Sequence, residues 1–242
     1  MDVPVGLIEA IIACAVAFIG ASLQGTIGFG LGLISVPLLV LIDPVFVPGP
    51  ILLAALVLNL LMFTREKHSI DPMGFKWAIF GRAIGAVLGA SLLSVFPQKS
   101  LSLLFGSMVL LAVLLNITGL EFRVTPKNLF GAGSLSGFMS TTSSIGGVPM
   151  ALIYQKHPGA RLRATLSIVF IFGTLLSIGS LVVIKHFGLR EIVAASVLIP
   201  GILLSFTVSN RTSKIVDKGY VRPAVLIASS ISSVAVLLRA LL

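Results

Sequence analysis

LQGTIGFGLGLISVPLL, residues 23–39, places Gly25, Gly28, Gly30 and Gly32 within eight positions of an otherwise apolar run. Glycine weakens a helix by roughly 1 kcal/mol relative to alanine. In lipid, backbone N–H and C=O groups outside a helix must find partners within the protein. Four glycines here therefore mark either very close helix contact or an intended break in the helix.

The surroundings establish that lipid is the solvent. Of 242 residues, 57% are hydrophobic and 10% charged, with 24 glycines, and the mean hydropathy is +1.12. Soluble domains carry roughly 25% charged residues. The expectation is an all-α integral membrane protein. The net charge of +9 does not point to nucleic acid. The basic residues are scattered singly or in short groups, without a basic helix or aromatic interleaving, as expected of cytoplasmic loops. Cys14 is the one cysteine and lies in an apolar run, so no disulfide framework is expected, and neither is a metal site or cofactor. The start MDVPVGLIEA holds acids and no Lys or Arg. A secretory n-region is positive, so the first apolar run is expected to be retained.

Charged and proline-containing breaks divide the chain into two sets of five apolar segments. The first half, 1–120, holds 5–23, 29–42, 50–63, 75–95 and 101–120. The second half, 121–242, holds 128–138, 145–154, 166–184, 192–208 and 223–242. A shift of 112 positions brings Leu23-Gln24-Gly25 onto Leu135-Ser136-Gly137, and Val36-Pro37 onto Val148-Pro149. The opening stretch thereby falls on a Ser/Thr-rich one, FMSTTSSIGG, with the same end motifs at the same spacing. A duplicated chain forming one membrane domain of about 8–10 hydrophobic segments is the expectation.

Residues 5–42 would span roughly 57 Å as one helix, nearly twice a hydrocarbon core of about 30 Å. The first two segments are therefore expected to fold as a short helical hairpin with no net crossing. Each half then crosses an odd number of times, and the second is inverted relative to the first. Twelve basic residues (Arg65, Lys67, Lys76, Arg123, Lys127, Lys156, Arg161, Arg163, Arg211, Lys214, Lys218 and Arg222) then share one face, and four (Lys99, Lys185, Arg190 and Arg239) share the other. A single crossing by the first two segments would split the same charges evenly. The positive-inside rule favours the hairpin and puts both termini on the non-cytoplasmic side of the inner membrane.

Inverted repeats with interrupted, Gly-rich segments in matching places mark secondary transporters that bind substrate near the midplane. The expected tips offer Gln24, Thr26, Ser35 and unwound backbone around Gly25, Gly28 and Gly30. From the other half come Ser136, Ser140, Thr141, Thr142, Ser143 and Ser144. Hydrogen-bond donors and helix N-termini suit a compact oxyanion. The eight acids and three histidines all fall in breaks or near segment ends, so nothing marks a proton relay or a cation site. Arg82 lies inside the fourth segment, in FGRAIG. It either snorkels to the interface or supplies an anion's counter-charge. Asn59 and Asn116 read as interhelical hydrogen bonds, and Gly81/Gly85/Gly89 as a close-packing face.

LQGTIGFGLGLISVPLL and its partner LSGFMSTTSSIGGVPMAL resemble the sulfite exporter family of the TauE/SafE type, in both motifs and in the two-half layout of essentially the whole chain. The resemblance implies a multi-pass carrier that exports or exchanges sulfite, thiosulfate or an organosulfur anion, and the two inverted repeats imply export by alternating access. Here Phe29 and Leu31 separate glycines in the first motif, and the second is Ser/Thr-rich. The motif glycines and prolines Gly25, Gly28, Gly30, Pro37, Gly137, Gly147 and Pro149 join the polar residues above and Arg82 as the expected substrate site. The expected partners are a small anion and the lipid bilayer, with no nucleic acid; a homo-oligomer is left open. An anion channel or a membrane-embedded enzyme are the alternatives. The sequence carries no HExxH, no Walker A run and no catalytic cluster, and no enzyme is expected.

Overall fold

The structure, a computed structural model, describes residues 5–70, 74–95, 104, 107–108, 110–112, 114–115, 122–154 and 157–213. Among these the regular elements are helical. They are α1 (Leu7–Ile27), α2 (Leu31–Ile42), α3 (Gly49–Glu66), α4 (Phe75–Val95), α5 (Pro126–Ser143), α6 (Gly147–Tyr154), α7 (Gly159–Val183) and α8 (Leu189–Thr212). The expected segments 101–120 and 223–242, with Asn116, fall mostly or wholly outside the described residues.

Among the described residues, five helices are long and apolar enough to cross a membrane: α1, α3 with its short extension to Ser69, α4, α7 and α8. Their outward faces carry Leu7, Ile8, Phe80, Leu88 and Val183, all more than half exposed. Such a surface is unfavourable in water at about 25 cal/mol per Å² and costs nothing against lipid tails.

Both hairpins form. α1 ends at Gly28, whose φ of +99° is left-handed backbone that a side chain would strain; its N–H donates to the Gln24 carbonyl at 2.7 Å. Gly30 has φ +121°, and α2 then returns antiparallel along α1. Ser35 Oγ donates to the Val16 carbonyl at 3.1 Å. With 21 and 12 residues, the arms measure about 31 and 18 Å. One arm can cross and the other cannot. α5 and α6 repeat the arrangement with 18 and 8 residues. Their elbow is Ser144, at φ +62°, which closes α5 by donating its N–H to the Ser140 carbonyl at 2.8 Å.

The elbows fall at a different offset from the V-P pairs. α1 ends at Ile27 and α5 at Ser143; α2 starts at Leu31 and α6 at Gly147. The matching positions are thus 116 apart, one helical turn more than the V-P pairs imply. Helix therefore continues through Gly25 and Thr26, and through the Ser/Thr run up to Ser143, where unwound backbone was expected. Glycine and serine at these places serve packing, and lipid-buried backbone stays helical wherever it can.

Packing between the halves is reciprocal. α4 runs parallel to α5, backbone against backbone. Added Cβ atoms at Gly81 and Gly85 would overlap the Phe130 and Ser134 carbonyls, and those at Gly133 and Gly137 would overlap the Ala78 and Arg82 carbonyls. α8 runs parallel to α1, with Gly201 against the Cys14 carbonyl and Gly25 against Ser209. The first helix of each half therefore lies on the fourth helix of the other. α1, α3 and α8 run one way. Gly49 meets Glu191 at one end, and Arg65 meets Asn210 at the other. α7 opposes them, since Arg163 near its start meets Glu66 at the end of α3.

Candidate functional site

The elbows touch. A Cβ at Gly32 would overlap the Ser144 carbonyl, and one at Gly147 would lie 3.1 Å from Phe29 Cβ. Between them lies a cavity of about 40 Å³ lined by residues of both halves, room for about three water-sized spheres.

Its chemistry is built from three kinds of group. The first turns of α2 and α6, residues Gly30 to Leu33 and Gly146 to Val148, line it. First-turn N–H groups lack helical acceptors, and each helix start carries roughly half a positive charge. Arg82 enters from α4 and is 1% exposed. Its Nη1 donates to Ser136 Oγ at 2.5 Å and its Nη2 to Ser140 Oγ at 3.3 Å. The guanidinium lies 5.3 Å from the centre of the Phe170 ring, a cation–π contact, and its Nε has no hydrogen-bond partner. The third group is an amide pair: Gln24 Nε2 donates to Asn59 Oδ1 at 3.1 Å, and Gln24 Oε1 accepts from Leu31 N at 3.2 Å.

Arg82 decides the electrostatics. Among the described residues no carboxylate pairs with it, whereas Arg65 and Arg163 both meet Glu66. An arginine at a helix centre in the bilayer costs about 3 kcal/mol or more, and neutral hydroxyls offset only part of that. The burial overturns the snorkelling reading. It is also shaped by a residue the sequence did not mark. An added Cβ at Gly173 on α7 would fall on the Arg82 Nε position, so the side chain reaches the cavity through a notch that only glycine leaves open.

Of the expected site residues, Gln24, Gly30, Arg82, Ser140, Ser144 and Gly147 line the cavity. Ser136 sits directly behind, holding Arg82 and donating to the Gly146 carbonyl. Gly137 lets α5 approach the Arg82 backbone. The others lie elsewhere. The Gly25 and Thr26 carbonyls accept from Arg65 and Arg163, and Gly28 packs on Leu162. Ser35 joins the hairpin arms, and Pro37 is buried within α2. Thr141 bonds Ser177 at 2.8 Å. Thr142 and Ser143 spend their hydroxyls on carbonyls of their own helix, both at 2.8 Å. Pro149 lines a separate, mostly apolar cavity of about 270 Å³. The physical reason is helical periodicity: of a continuous Ser/Thr run on a helix, only one face can meet the cavity. Sequence reasoning missed Gly32, Phe170, Gly173 and Thr174. Asn59, assigned to an interhelical bond, makes that bond and lines the cavity as well.

Apolar spanning helices, two broken hairpins and a polar, positively charged cavity between them define a multi-pass membrane protein of the transporter class. The sulfite exporter TauE/SafE family matches residues 12–236, and the chain belongs to that family of sulfite exporter-type membrane transporters. Neither the curated proteins nor the solved structures include a significant match to the chain.

Proposed function

We propose that the chain is a secondary transporter that exports a small sulfur oxyanion, sulfite or thiosulfate ahead of larger organosulfur anions, by alternating access between two inverted halves. The observation that carries this reading is the convergence on one small cavity between the halves of two helix N-termini and a buried Arg82 that has no carboxylate partner among the described residues. Each component favours negative charge, and none offers a cation a ligand of full opposite charge. A cavity of about 40 Å³ suits an inorganic oxyanion better than an organic sulfonate.

The inverted-repeat reading draws support from the helix directions. α1 and α5 run oppositely, as do α3 and α7, and as do α4 and α8, and the cross-packing of first and fourth helices is reciprocal. Two such halves can rock about a fixed central site. The positive-inside rule supports a reading in which the Arg65 end of the bundle faces the cytoplasm from an inner membrane, with both termini on the far side. An inside-negative potential then assists anion export by about 2.3 kcal/mol per charge per 100 mV.

The test is efflux of labelled sulfite and thiosulfate from proteoliposomes. Saturable, trans-stimulated flux, faster with an inside-negative potential, is the expected result. Ohmic single-channel current would replace the carrier by a pore, and no flux of any sulfur anion would defeat the cargo assignment.

A further inference from the structure

Away from the cavity, at the Lys/Arg-rich end of the bundle, the structure holds a second concentration of charge. Arg65 and Glu66 end α3, and Arg163 begins α7. Arg65 Nη2 and Arg163 Nε lie 2.8 and 2.7 Å from the same oxygen, Glu66 Oε1. Glu66 Oε2 is buried without a hydrogen-bond partner. The three side chains are 16%, 9% and 8% exposed in the order Arg65, Glu66, Arg163. Two guanidiniums thus share one carboxylate oxygen.

The same arginines tie down the first elbow. Arg65 Nη2 donates to the Gly25 carbonyl at 2.6 Å, and Arg163 Nη1 to the Thr26 carbonyl at 3.1 Å. Arg65 Nη1 also donates to Asn210 Oδ1 at 3.0 Å. The cluster therefore joins the ends of α1, α3 and α8 to the start of α7, two helices from each half. Gly25 follows Gln24, whose side chain lines the cavity. A change in the cluster's bonds acts on the cavity wall through one peptide unit.

We propose that Arg65 and Arg163 form a second anion-binding site, through which the transported oxyanion passes, and that Glu66 occupies it as an internal stand-in while this mouth is closed. A carboxylate held through one oxygen, with the other idle, uses half of its acceptor capacity. A sulfur oxyanion presents three or more oxygens and can take both guanidiniums in forked pairs, the stronger arrangement. It displaces Glu66 toward water, the ties to Gly25 and Thr26 loosen, and the elbow is freed. The site rests on the reading of an anionic cargo and adds to it a place where the anion acts before reaching Arg82.

Hydrogen exchange of the protein in nanodiscs, followed on the peptide covering residues 24–31, tests this. The probes are sulfite and thiosulfate, each against chloride at equal ionic strength. In the unaltered protein either sulfur anion should raise exchange about fivefold, and chloride should not; such local opening is what exchange reports. In Glu66→Gln the same peptide should exchange faster with no anion present and respond no further, while Glu66→Asp should restore the response. Unchanged exchange in Glu66→Gln, or a wild-type peptide deaf to anions that proteoliposomes carry, would overturn the site. If proteoliposomes carry neither anion, the cargo reading fails. The anion-free Glu66→Gln comparison then decides by itself whether Glu66 holds the elbow.

Discussion

The two hairpins occupy matching places and do different work. The first turns on Gly28 and Gly30 and brings a neutral amide, Gln24, to the cavity beside Asn59. The second turns on Ser144 and brings two hydroxyls, Ser136 and Ser140, to grip the guanidinium of Arg82. The first supplies shape and a helix start; the second supplies a second helix start and fixes the charge. Similar scaffolds can therefore divide a binding site into a neutral wall and a charged one. Losses from the charged wall should exceed losses from the neutral one.

Replacing Arg82 gives the largest effect expected. Arg82→Gln removes the only full charge among the described cavity-lining residues and should lower sulfite flux about 100-fold, on the scale of truncating one member of a buried charge interaction, with normal insertion by immunoblot. Arg82→Lys keeps the charge and loses the fork, and should chiefly raise KM. Next comes Gly173→Ala, which touches no polar group. Its methyl claims the space of the Arg82 side chain, so flux should fall about 10-fold or more, because overpacking displaces whichever neighbour moves most easily. Wild-type kinetics there would break the link between the notch and the charge.

Ser140→Ala removes one long hydrogen bond to a charged group, an effect at the low end of about 1.5–3 kcal/mol, and should raise KM about 10-fold. Gln24→Ala, on the neutral wall, should cost less, about threefold in flux, through the lost contact to Leu31 N. The smallest effect belongs to the double change Thr142→Ala, Ser143→Ala. These hydroxyls bond their own helix, so transport should stay near the wild-type rate. A large loss there, with Ser140→Ala silent, would reverse the assignment of the cavity face.

The fold was legible where the physics is one-dimensional. Run lengths and charged breaks located α1, α3, α4, α7 and α8, and the length of residues 5–42 against the membrane thickness required the hairpin. The glycine face of α4 was readable from its four-residue spacing. The offset of the elbows was not. V-P pairs align by identity, but elbows fall where a residue can adopt positive φ, and Ser144 does so without being glycine. The site was half legible. Arg82 stands out in any apolar run, yet burial and snorkelling differ only in what surrounds the chain, and that is fixed by Gly173, 91 positions away. Composition gave every Ser and Thr of 140–144 the same standing; helical phase separates Ser140 and Ser144 from the rest. Glu66 looked like a loop acid because its partner Arg163 is 97 residues distant.

The most direct test of the central claim is the sulfite efflux rate of Arg82→Gln beside that of Thr142→Ala, Ser143→Ala, in proteoliposomes matched for inserted protein. The account predicts about 100-fold loss in the first and wild-type rates in the second. Equal rates for Arg82→Gln and the unaltered protein would contradict it.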